Sequence, residues 1–275
     1  HIFPPWIKED RSKYMNDDPF LAAMYSSPKA KMVTADELVE AMDREGVDIS
    51  VALNFPWSTH KLCVETNDYI MESMSRYPKR LVGFCSVQPL SREAALDEIE
   101  RCARGGLRGV GEFRPDMQSV DLKDESVIKP FIETVIRHKL ILLTHTSEPV
   151  GHPYPGKGRV TPDVLYPLIA SFPSLTLVCA HWGGGLPFYA LMPEVKKAMS
   201  NVYFDMAASS YLYSPQIHSQ VVQLVGADKI LFGSDYPLLP PGRLIREIKS
   251  LNLAPEAEQL ILGGNAQRLL GIKVD

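Results

Sequence analysis

An α/β fold of the (β/α)8-barrel (TIM-barrel) class is what this sequence predicts, on three observations. Seven short runs of β-branched and apolar residues recur along the 275 residues. Helical patterns separate them, and successive run centres lie about 26–36 residues apart, room for one strand, one helix and their connections. No glycine-rich phosphate loop follows an early strand, which argues against the rival open, doubly wound sheet. An eighth strand just before His1 would complete the barrel, so strand one is expected to lie largely outside the given sequence. Residues 1–275 read as a single domain, with no linker and no repeat beyond the βα unit.

Each element has a local reason. The strand runs are 49–53, 81–85, 107–113, 140–143, 175–179, 202–204 and 230–232. They are too short for helices and nearly continuously apolar, as parallel strands covered on both faces are. A helix over 35–45 opens on Thr34 with Glu37 three residues later, a capping box. A second, over 91–104, stops at Gly105-Gly106. Patterns over 124–138, 161–171, 188–199, 215–225 and 243–250 continue the alternation. The longest loop, 146–160, is rich in glycine and proline and directly follows a strand, where barrel enzymes carry functional loops.

Composition narrows the function classes. Hydrophobic residues at 45% and charged residues at 23% exclude a disordered chain. A formal charge of −4 speaks against nucleic acid as a partner, because such domains are usually basic. No apolar run approaches the roughly 18–20 residues of a membrane helix, and the first residues lack the pattern of a signal peptide. Cys63, Cys85, Cys102 and Cys179 have no tight spacing and are expected as reduced core thiols of a cytoplasmic protein.

The chemistry-bearing residues sit at strand ends. His145 and His181 close apolar runs, Asp235 follows the 230–232 run, and Glu112 ends the 107–113 run. In a parallel barrel all C-terminal strand ends face one mouth. A histidine at one strand end is commonly structural, and an aspartate near a Gly-Ser turn commonly caps a helix. Two histidines and an aspartate at equivalent ends of three strands favour a divalent metal. Asn54, Gln88 and Arg114 lie at or just past strand ends. Arg114 is a candidate for a substrate carboxylate, and Asn54, His152, Tyr154 and Trp182 are further substrate-binding candidates. The glycines 183–185 precede a helical pattern and either receive an anion or permit a tight turn.

Three segments carry a family resemblance. His181-Trp182-Gly183-Gly184-Gly185, Gly233-Ser234-Asp235-Tyr236-Pro237 and Gly264-Asn265-Ala266-Gln267-Arg268-Leu269-Leu270 resemble the sixth-strand, eighth-strand and C-terminal signatures of the amidohydrolase superfamily. The nearest branch is the amidohydrolase-related one that includes aminocarboxymuconate-semialdehyde decarboxylase. His1-Ile2-Phe3-Pro4 resembles the second histidine of that family's His-x-His pair with its apolar-x-Pro stretch. The resemblance implies His1, His145 and Asp235 as metal ligands, with His181 and Asp235 catalytic. Gly111-Glu112-Phe113-Arg114 also resembles the strand-four stretch of TatD-type nucleases, which implies Glu112, with His181, at a second metal; a salt bridge to Arg114 is the alternative for Glu112. Zinc is the expected cofactor, with Mn2+, Co2+ or Fe2+ as substitutes.

The implied reaction is attack by metal-activated water on an amide, ester or lactone of a small molecule. The alternative is a metal-dependent, non-oxidative decarboxylase in which Asp235 protonates carbon. A nuclease and a non-catalytic binding barrel rank below both. The resemblance also implies a homodimer. Asp205 is expected to orient a ligating histidine.

Overall fold

The computed structural model describes residues 1–272. Its strands, in chain order, are β1 (Ser50–Ala52), β2 (Leu81–Cys85), β3 (Gly109–Phe113), β4 (Ile141–Thr144), β5 (Leu177–Cys179), β6 (Val202–Asp205) and β7 (Ile230–Leu231). All seven coincide with the predicted runs. The chain falls into two compact units. One holds residues 1–144 together with 151–158; the other holds 145–150 and the chain from Arg159 onward.

In the first unit β1 pairs with β2, β2 with β3 and β3 with β4, every pair parallel. β2 and β4 are wholly buried, which explains their unbroken apolar character, while β1 leaves Val51 exposed. The helix Ala35–Glu45 carries the predicted capping box, Thr34 and Glu37 each accepting from the other's backbone N–H. A 17-residue helix, His60–Arg76, links β1 to β2 and is not among the predicted patterns. Three short helices, Pro5–Glu9, Arg11–Asp17 and Pro19–Tyr25, precede the first strand.

Those short helices are too brief to stand alone. They are held by an aromatic cluster in which Phe20 stacks on Phe55 at 5.1 Å and Phe55 meets Trp57 at 4.8 Å. Phe3 lies at 0% exposure in the same cluster. Asp18 caps the helix Pro19–Tyr25 through Phe20 and Leu21 N–H, and its other oxygen accepts from Ser58 N and Oγ.

In the second unit β5 pairs with β6 and β6 with β7, again parallel. Asn265, wholly buried at the start of the helix Asn265–Leu270, donates to the carbonyls of Ala227 and Ile230 and so ties that helix to β7. The helix expected over 188–199 is shorter: Pro193–Ala198, preceded by a tight segment from His181 to Leu191. Glycines and Pro187 in that segment exclude a continuous α-helix. All four cysteines are free and buried. No helix among the described residues is long and apolar enough to cross a membrane.

Candidate functional site

In the first unit the site begins at β3. Val110 pairs with Leu142 and Phe113 with Thr144, three steps on β3 against two on β4, so β3 carries a bulge at Gly111-Glu112. The bulge needs glycine beside the glutamate, because a Cβ on Gly111 would lie 2.9 Å from both Cβ and the carbonyl oxygen of Leu143.

Glu112 N–H donates to the main-chain carbonyl of Asn54, just past β1, at 3.3 Å. The same carbonyl lies 3.1 Å from His1 Nδ1. A carbonyl only accepts, so His1 Nδ1 carries the proton and Nε2 presents its other face to Glu112 Oε2, 3.4 Å away. A neutral imidazole in this tautomer turns a lone pair on a carboxylate. A proton or a cation shared by the two groups resolves that opposition, and the donor set suits a divalent metal.

Asn54 acts through its backbone. Its side-chain amide donates to Thr66 Oγ1 and Asn67 Oδ1, and its oxygen accepts from Phe55 N and Trp57 Nε1. This internal network, rather than a substrate, takes up the side chain proposed above for substrate binding. Asn67 extends the network to the carbonyl of Ser86 and to Glu98. Gln88, also at a strand end, donates to the carbonyls of Ser58 and Gln118.

In the second unit His145 and His181 meet edge to face with ring centroids 4.8 Å apart, both buried. His145 Nε2 is 3.1 Å from Ser147 Oγ. His181 Nδ1 donates to the carbonyl of Ala207 at 3.1 Å, which leaves Nε2 as the nitrogen with a lone pair. Asp205 Oδ1 accepts from the backbone N–H of His181 at 2.9 Å and of Ala207 at 3.0 Å. Asp205 therefore holds His181 through its main chain, while the imidazole itself is held by the carbonyl of Ala207. Burial raises the Asp205 carboxyl above its usual range, against the opposing pull of His181 and the two N–H groups.

His181, Trp182, Gly183, Gly184 and Gly185 all have positive φ, between 56° and 94°. The glycines thus form a left-handed turn rather than a helix N-terminus. Two L-residues in this region cost about 1–2 kcal/mol each, and such strain is typical of functional positions. Gly184 allows the turn to press on the loop bearing His145: a Cβ there would lie 2.3 Å from Ser147 O.

Trp182, a substrate-binding candidate, is 1% exposed and donates Nε1–H to Ser209 Oγ at 2.6 Å, with its ring against His218. Its contacts are internal to the fold. Asp235 follows β7 with φ 59° and is partly buried, its carbonyl accepting from Leu238 N. His152 and Tyr154 lie in the 151–158 segment with rings 5.8 Å apart, and Lys157 Nζ sits 5.7 Å over the Tyr154 ring. Arg114 is 2% exposed and donates to the carbonyl of Gly156 in that segment.

Sequence reasoning did not find the carbonyls of Asn54 and Ala207. No side-chain signal exists for them, because every residue has a carbonyl. Ser147 had a faint signal, a hydroxyl two residues after a candidate ligand.

The sequence pattern of the amidohydrolase family matches residues 3–272. Among curated proteins, 2-amino-3-carboxymuconate-6-semialdehyde decarboxylase of Dictyostelium discoideum is 25% identical, over 97% of this chain and 85% of that protein. Among solved structures, 5-carboxyvanillate decarboxylase from Sphingomonas paucimobilis superposes with a TM-score of 0.80 at 19% identity, covering 99% of this chain and 97% of that one. The 5-carboxyvanillate decarboxylase of Novosphingobium aromaticivorans, complexed with manganese and 4-hydroxy-3-methoxy-5-nitrobenzoic acid, gives a TM-score of 0.79 at 19% identity, covering 98% and 94%. These structures share the (β/α)8-barrel-like fold.

Proposed function

The chain belongs to the amidohydrolase family, and from that premise we propose that it is a metal-dependent, non-oxidative carboxy-lyase acting on a small carboxylated aromatic or conjugated acid. The observation that carries this reading is the agreement of the curated relative and the solved structures on decarboxylation. It reverses the order expected from sequence, where hydrolysis came first. Manganese replaces zinc as the leading metal, after the manganese held by the Novosphingobium enzyme. The whole of 1–275 acts as one catalytic domain in this reading, and a homodimer is part of the same proposal.

The metal's ligands in this reading are His1, Glu112, His145 and His181, the strand-end donors that the family resemblance implies. A divalent cation, when bound, would hold the substrate oxygen beside the reacting carbon and stabilise charge developing on it. The side chains have separate tasks. The carbonyls of Asn54 and Ala207 fix the imidazoles of His1 and His181 so that each presents Nε2. Asp235, expected above as a ligand and as a catalytic acid, is assigned the proton. It protonates the carbon bearing the carboxylate, the carbon–carbon bond breaks, carbon dioxide leaves, and water reprotonates Asp235.

The test is carbon dioxide release from a panel of hydroxylated arene carboxylates, with manganese-loaded protein. One carbon dioxide per decarboxylated product is the expected result. Turnover of a lactone or amide panel with no carbon dioxide from any carboxylate overturns the reading.

A further inference from the structure

Arg114 follows β3 two residues after Glu112 and is buried beside the Asp116 carboxylate, which pairs with its charge but not with its hydrogen-bond donors. Its side chain is 2% exposed, with the guanidinium carbon 4.7 Å over the Phe20 ring. Nη2 donates to the carbonyl of Gly156 at 2.8 Å. The Asp116 carboxylate is 3.8 Å from the same Nη2, too far for a hydrogen bond. Nε is shut off from solvent and has no hydrogen-bond partner.

Nε–H and Nη2–H form one edge of the guanidinium, the side-on edge that a carboxylate fills with two parallel bonds. Here one neutral carbonyl oxygen satisfies one donor of that edge and leaves the other orphaned. A buried donor without an acceptor costs about 1–3 kcal/mol, and arginine cannot shed its charge to escape the cost.

The acceptor comes from a strap. Ser147 N–H donates to Val160 O at 3.0 Å and closes the base of a loop whose tip is 151–158. The tip is braced within itself, Lys157 Nζ lying 3.4 Å from the carbonyls of Gly151 and His152. Gly156 has φ +90° and lies so near Met24 that a Cβ would sit 3.1 Å from its methyl carbon.

We propose that the Nε/Nη2 edge of Arg114 is a carboxylate subsite, for which the Gly156 carbonyl is an internal stand-in that the ligand displaces. The proposal rests on the carboxy-lyase reading for which carboxylate it takes. A carboxylate that departs as neutral carbon dioxide is better left unpaired, because an ion pair stabilises the ground state more than the transition state. Arg114 therefore anchors a second carboxylate that stays on the product. The substrate class is an aromatic or conjugated dicarboxylate, and binding releases the strap from its arginine clamp.

The test uses the manganese-loaded full chain and two probes, 4-hydroxyisophthalate and 2-hydroxybenzoate, which differ by one carboxylate. Calorimetry is expected to show the dicarboxylate binding about ten- to a hundredfold tighter, the range of a charge-assisted hydrogen bond. Arg114→Gln is expected to bind the two probes alike while its manganese content stays unchanged. In the unmodified protein, amide hydrogen exchange over 151–158 is expected to be faster in the dicarboxylate complex than in the 2-hydroxybenzoate complex. Equal affinities in the unmodified protein, an intact preference in Arg114→Gln, or unchanged exchange in the strap each overturn the proposal. The exchange measurement decides alone should Arg114→Gln not fold. No readout depends on turnover, so a protein with this preference that releases no carbon dioxide keeps the subsite and loses the carboxy-lyase reading.

Discussion

Replacing Gly184 with alanine tests how the left-handed turn supports His145. Two costs arise. Alanine at φ +59° pays the left-handed penalty of about 1–2 kcal/mol. Its Cβ would also fall 2.3 Å from Ser147 O and 2.7 Å from Ser147 C. An ordinary carbon–oxygen contact is about 3.3 Å, so the backbone must part by roughly 1 Å. Overpacking of this kind costs about 1–3 kcal/mol. The total is about 2–5 kcal/mol, a Tm loss of several degrees for a chain of this size. Gly185→Ala is the control: its φ is +94°, but the nearest atom to a Cβ is 3.7 Å away, so only the conformational cost applies. Urea unfolding measures both variants, and manganese titration reports on the loop of His145, whose Nε2 lies against Ser147 Oγ. Gly184→Ala is expected to be the less stable by about 1–3 kcal/mol and to bind manganese more weakly. Equal stabilities and equal manganese affinities in the two variants would refute the argument from collision.

Three further outcomes are expected. Asp235→Asn should lower carbon dioxide release by about 10²–10⁴-fold while thermal unfolding shows a native fold; turnover within a few-fold of the parent removes Asp235 from the acid's role. Chelation followed by dialysis should abolish release, and manganese should restore it, with elemental analysis tracking the recovered activity. Glu98 supplies a pH dependence. Burial pushes its carboxyl up, but hydrogen bonds from Arg101, Asn67 and Cys102 outweigh this and hold it below the ordinary 4.5. A depressed carboxyl contributes stability that is present above pH 4.5 and lost as pH falls through its folded value. Glu98→Gln should therefore cost about 1–3 kcal/mol at pH 7, and urea unfolding at pH 7 and below 4.5 should show the gap to the parent narrowing in acid.

The strands were legible because most carry a short, nearly unbroken apolar run, which in β2, β4 and β5 follows from complete burial. The helix Ala35–Glu45 was legible to the residue because its capping box is local. The helix His60–Arg76 had signals that went unread: Thr59 as N-cap and buried Leu62, Cys63, Thr66, Tyr69 and Ile70 at helical spacing. The three short helices between Pro5 and Tyr25 were not legible, since five to seven residues show no period and the helices are held by packing around Phe3, Phe55 and Trp57. Among candidate residues, Glu112, His145, His181 and Asp235 could be read from strand ends. The left-handed turn at 181–185 could not, because a glycine triplet permits several conformations and packing on Ser147 selects one. Asn54 and Trp182 drew notice as polar and aromatic groups near strand ends, but their side chains hold the scaffold together.

The two imidazoles whose protons are assigned, His1 and His181, both donate to backbone oxygens, those of Asn54 and Ala207. A backbone acceptor survives any point substitution at its own residue that leaves the chain path intact. Drift at positions 54 and 207 can therefore alter packing and stability without rewriting which nitrogen each imidazole offers. A lineage built this way is free to change the side chains at these positions while inheriting the orientation of each histidine unchanged.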